Sequence, residues 1–123
     1  MKRSYLLFAI LAIVAAACYY DSEEVLYPQI GDSCDTTSVT FSGTISPMLA
    51  NNCYTCHSNA AAPSFGNGIA LQDYADVVSH SAAVLGSIKH ESAYSPMPKG
   101  GGTLNNCLIR QMEIWVADGT PDN

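Results

Sequence analysis

Cys53-Tyr54-Thr55-Cys56-His57 is a C-x-x-C-H run. Two thiols three positions apart can reach the two vinyl groups along one side of a porphyrin. The adjacent imidazole then lies under the metal and offers it a nitrogen. The residues therefore carry the attachment chemistry of one covalent haem c, with Cys53 and Cys56 as thioethers and His57 as an axial ligand of the iron. Two other chemistries use the same cysteine spacing. A redox dithiol fits a βαβ pattern, and no strand pattern precedes Cys53. A structural zinc site asks for a second close ligand pair, whereas Cys34 and Cys107 stand single and far apart.

The flanking sequence reads as helix, loop, helix. Phe41, Ile45, Met48 and Leu49 recur at i, i+4, i+7 and i+8, the stripe of a helix that ends by delivering Cys53. Pro47 fits inside or at the start of that helix, and Ser46 before it has N-cap chemistry. Residues 58–68 are rich in Ala, Asn and Gly with one Pro and predict a loop. Gln72 or Asp73 is placed to cap a helix carrying Tyr74, Val77 and Val78. Ser79, His80 and Ser81 interrupt its apolar side, which predicts a break near Ala82 and a short further helix with Val84, Leu85 and Ile88. Thr103 or Asn105 is placed to cap the last helix. Leu104, Leu108, Met112, Trp115 and Val116 mark its apolar side, and Gly119 and Pro121 end it.

An electron-carrying haem iron usually has a second protein ligand. Met48 and Met112 lie on helical stripes, where methionine fills core. Met97 lies in Ser95-Pro96-Met97-Pro98-Lys99-Gly100-Gly101-Gly102. Prolines on both sides exclude regular helix and strand, and Pro98 restricts Met97 to an extended backbone. Its thioether is the first candidate for the sixth ligand. His90 and then His80 are the alternatives, each otherwise an ordinary surface or helix imidazole.

Taken together, the residues before and through the C-x-x-C-H run, the Met97-Pro98-Lys99-Gly100 loop and the Trp115-Val116-x-x-Gly119 end resemble a small class I monohaem cytochrome c domain. The form is similar to the modules found on bacterial lipoproteins, and the likeness covers roughly residues 39–122. It implies an all-α, cytochrome c-like fold of three to five short helices around one haem, with long loops. It also implies His57 as proximal ligand, Met97 as distal ligand, and the first and last helices crossing, with Ile45 and Leu49 against Leu108, Met112 and Trp115. A domain this small has a marginal core, so the apo chain is expected to fold poorly.

The start of the chain has export chemistry. Lys2 and Arg3 precede an uncharged, largely apolar run from Tyr5 to Ala17. That run is well short of the roughly 20 residues of a membrane span and predicts a secretory signal peptide over 1–17. Ala15 and Ala17 suit ordinary signal cleavage. The same stretch, ending at Cys18, resembles a lipoprotein lipobox, although Ala15 stands where Leu is more usual. Lipidation of Cys18 would give a tether over 18–38, a domain over 39–123 and a membrane anchor, each buried CH₂ contributing about 0.8 kcal/mol. Tyr19 stands where inner-membrane lipoproteins often carry Asp. The resemblance thus implies the outer membrane, facing periplasm or cell surface.

The chain has 123 residues, of which 13% are charged and 48% hydrophobic, with a formal charge of −6. This excludes a multidomain enzyme, a polytopic membrane protein and a nucleic-acid binder. Removing residues 1–17 takes away two cations and no acid, leaving −8. If Cys18 carries lipid and Cys53 and Cys56 carry haem, Cys34 and Cys107 remain, an even pair for a disulfide in an oxidising compartment. Two unpaired cysteines are the alternative. Ligands on both faces of the iron would leave no open site, so the expected function is one-electron transfer rather than catalysis. The expected partner is a redox protein with a basic patch. A haem sensor or small-ligand binder with a displaceable sixth ligand is the alternative, and a structural zinc module is a third reading.

Overall fold

The computed structural model describes residues 34–100 and 102–123. The expected signal peptide, Cys18 and most of the expected tether lie outside the described residues. Residues Cys34–Asn123 form one compact unit. Its regular structure is helical, with no strand among the described residues, so the domain is all-α. A π-helical turn, Phe41–Ile45, leads into α1, Ser46–Asn52. Then come α2, Tyr54–His57, α3, Ala62–Phe65, α4, Tyr74–Ile88, and α5, Asn106–Ala117. None of the described helices is long and apolar enough to cross a membrane.

The helical path begins before the Ser46 cap position expected from sequence. Thr40 is the cap, its hydroxyl accepting from the Gly43 N–H at 3.0 Å. Pro47 explains the wide first turn. It has no N–H for the Gly43 carbonyl, and its ring would press on that carbonyl in a tight α-turn. The turn opens instead, with Ile45 N–H reaching Thr40 O at 3.1 Å and Ser46 N–H reaching Phe41 O. The expected loop over 58–68 also contains a helical turn, α3. Ala61 precedes it as the cap position, the Ser58 carbonyl accepts from Ala62 N–H at 2.8 Å, and Pro63 occupies an early position that needs no donor.

The expected break near Ala82 is absent: α4 runs unbroken. The serines that suggested a break are satisfied locally. Ser79 Oγ donates to Asp76 O at 2.8 Å and Ser81 Oγ to Val78 O at 2.9 Å. Val77, Val84 and Ile88 are buried along one side of this single helix.

Ile45, Leu49, Val77, Met112 and Trp115 are the most deeply buried side chains. They share one cluster with Met48, Leu71, Val84, Ile88 and Leu104, and Leu108 packs against it. Met48 and Met112 are core residues here. Phe41 meets Tyr74 edge-on at 5.0 Å and lies 5.7 Å from Trp115. Polar groups lock the same corner: Trp115 Nε1–H donates to Pro121 O at 2.9 Å and Tyr74 O–H to Thr120 O at 2.7 Å. Asn105 caps α5 by accepting from Cys107 N–H. Gly119 follows the helix at φ +85°, a left-handed stop that glycine adopts without strain. A disulfide joins Cys34 to Cys107 across 73 positions, and Gln111 Nε2–H donates to Asp35 O at 2.9 Å beside it.

Candidate functional site

Cys53 to His57 occupy a single helical turn. The Cys53 carbonyl accepts from Cys56 N–H at 3.1 Å and from His57 N–H at 2.8 Å. Cysteines at i and i+3 therefore share a face. Both border a cavity of about 320 Å³ that opens to solvent. His57 and Met97 border it too, and Ile69, Leu71, Val84, Ile88 and Leu104 supply apolar wall. The structure thus brings all four predicted haem residues to one cleft. Cys53 and Cys56 are free thiols.

The loop after His57 fixes its imidazole. His57 Nδ1 lies 2.8 Å from the Ile69 carbonyl. A carbonyl only accepts, so Nδ1 carries the proton and Nε2 keeps the lone pair. The backbone closes the same loop, with Leu71 N–H donating to His57 O at 2.8 Å. Gly66 makes the closure possible. A Cβ there would stand 2.6 Å from Cys56 O and 3.0 Å from His57 Nδ1. Sequence reading took Gly66 as loop chemistry; its actual constraint is the close approach of the Cys56 carbonyl, with the His57 ring beside it.

Burial pushes the Cys53 thiol up to about 11. Catalytic dithiols need the reverse, a thiolate favoured by nearby positive charge or a helix N-terminus. Among the described residues, no three His, Cys, Asp or Glu side chains gather as a metal cluster. The donors at the cleft are two thiols on one face, an imidazole with a fixed tautomer, a thioether and an apolar wall, the kinds of group that a haem c would require.

Met97 is half-buried and anchored through its backbone. Its N–H donates to Ser87 O at 3.1 Å, near the end of α4. Its carbonyl accepts from His90 Nε2–H at 3.0 Å. His90, the first alternative ligand, thus directs that nitrogen to the Met97 backbone. His80, the lesser alternative, does border the cleft, with Nδ1 2.9 Å from Asp76 O. Of the polar interruption of α4, His80 is the member that borders the cleft.

Tyr94, three positions before Met97, packs its ring against α4. Its ring covers Gly86 so closely that a Cβ on Gly86 would collide with it. Glu91 N–H donates to Gly86 O and Tyr94 N–H to Glu91 O, both at 2.9 Å. Gly86→Ala should gain about 1 kcal/mol of helix propensity and lose about 1–3 kcal/mol to overpacking. The expected net is a loss of about 1 kcal/mol, with faster amide exchange at Tyr94 and Met97. Thermal unfolding and hydrogen exchange check both. Unchanged exchange would mean that the ring does not hold the loop.

No protein family matches the chain, and neither does any curated protein or solved structure.

Proposed function

We propose that this protein is a one-electron carrier of the small class I cytochrome c type, holding one covalent haem c. Cys53 and Cys56 are its thioether anchors, His57 the proximal ligand and Met97 the sixth ligand. The observation that carries this reading is His57. Its Nδ1–H is committed to Ile69 O, leaving Nε2 for iron in a cleft shared with both thiols and Met97. When bound, the haem supplies the ferric/ferrous couple. The protein's part is to orient the imidazole, hold the thioether and keep water from the apolar wall. Ligation by both His57 and Met97 leaves no position for substrate, so the reading is a carrier and not an enzyme.

The surroundings of this proposal follow from sequence chemistry. Cleavage before Cys18 and its lipidation would anchor an exported domain to a membrane, with the outer membrane as proposed site. The acidic chain would dock to a basic patch on its redox partner, with an on-rate that falls as salt rises.

Expression of the full chain in a host that matures haem c provides the test. The denatured protein should carry one haem by intact mass, with a lipid increment on Cys18. The ferric spectrum should show the weak far-red sulfur-to-iron band, and Met97→Ala should abolish it and lower the reduction potential. The ferrous wild type should resist carbon monoxide. A chain without haem would overturn the proposal. Haem with ready carbon monoxide binding would select the sensor reading. Persistence of two strong ligands in Met97→Ala would move attention to His80.

A further inference from the structure

We infer that His90 is a positioning residue for the sixth ligand, holding the Met97 loop so that its sulfur stays on the iron. The inference rests on the proposed ligation by Met97 and extends it to a residue outside the cleft lining. Two independent observations carry it. His90 Nε2–H donates to the Met97 carbonyl at 3.0 Å, across seven positions. His90 also stands at φ +56°, directly after the Lys89 end of α4.

That backbone conformation is the left-handed region that follows many helices, where glycine is the usual residue. Histidine there carries a strain that glycine would avoid. What it adds is a side chain reaching from the helix end to the Met97 backbone. With Met97 N–H on Ser87 O, the donor from His90 pins the residue at both ends of its backbone. Two anchors separated by the Cα limit rotation of the segment and hence the swing of the thioether. Without His90, one anchor remains, and Gly100 beyond Lys99 already has a left-handed backbone at φ +70°.

His90→Gly separates this role from turn formation. Glycine satisfies the left-handed turn and removes the donor. In the ferric holoprotein, added imidazole competes with Met97 for the iron. Loss of one neutral hydrogen bond should raise imidazole affinity about three- to tenfold. The thermal midpoint should stay level or rise, because the backbone strain is relieved. An imidazole affinity equal to wild type, with the wild-type sulfur band present, would overturn the inference and leave the ligand assignment standing. A raised affinity with a lowered thermal midpoint would also overturn it, since general loosening would then explain the change. A wild type with no sulfur band would remove the ligand assignment and this inference with it.

Discussion

Cys53→Ser combined with Cys56→Ser should yield a chain with no covalent haem and little cooperative structure. The cleft occupies about 320 Å³ between α2, α4 and the loops that follow them. It opens to solvent, so covering its apolar wall of Ile69, Leu71, Val84, Ile88 and Leu104 with a porphyrin is worth roughly 4 kcal/mol at about 25 cal/mol per Å² of apolar surface. A domain of this size has a total stability of only about 5–13 kcal/mol. The two magnitudes are comparable, so the filler decides whether the fold persists. Intact mass of the denatured protein checks the attachment, and a melt followed by circular dichroism checks the fold. Each single variant should keep one thioether and an intermediate stability. A double variant that melts as sharply and as high as wild type would show that the apolar cluster of α1, α4 and α5 stands without the porphyrin.

Removal of the other cysteine pair should act differently. Cys34→Ser with Cys107→Ser opens a bridge that spans 73 positions. Chain-entropy arithmetic for that span gives about 4 kcal/mol, which in a domain this size lowers the thermal midpoint by about 15 °C or more. The segment it releases is otherwise lightly held. The Asp35 carboxylate bonds within its own turn, accepting from Thr37 N–H at 2.9 Å and Thr37 O–H at 2.7 Å. Gln111 holds the Asp35 carbonyl from α5. Haem content should stay at one per chain, because Cys34 and Cys107 do not border the cleft. Urea titration with and without reductant-resistant Ser substitutions measures the loss. A change below about 1 kcal/mol would mean that the unfolded chain is already compact around this pair.

The main helical stripes were legible because each rests on short spacing. The gathering of Cys53, Cys56 and His57 on one turn was legible for the same reason, since they lie within five positions. Ile45 and Leu49, like Met112 and Trp115, show their burial through helical period alone. The disulfide was legible only as a remainder of cysteine counting, which left free thiols open. Other features depend on contacts that pattern does not encode. The π-turn arises from Pro47 meeting a carbonyl four residues back. Gly66 is fixed by the Cys56 carbonyl beside the His57 ring, and Gly86 by the Tyr94 ring. The unbroken α4 defeated period reading because Ser79 and Ser81 bond to carbonyls of their own helix, while His80 between them borders the cleft. A rule that expects every inward residue to be apolar takes such a stretch for a helix end. His90 was read as a possible ligand; its bond to the Met97 carbonyl depends on a left-handed backbone that sequence does not announce for histidine.

The continuity of α4 also links two kinds of mutational tolerance. Val77 near its start belongs to the core, whereas His80, Ala83 and Ser87 border the cleft, and Ser87 O receives Met97 N–H. Removing one residue between Val77 and Val84 would turn everything downstream by about 100°. Val84 and Ile88 would leave the core in the same stroke that carries Ser87 away from Met97. With a break at Ala82, a hinge could have absorbed the slip and let the two halves drift separately. Without one, insertions and deletions are forced out of this helix and into the connecting loops. Length variants within Tyr74–Ile88 should therefore lose folding and the sixth-ligand position together.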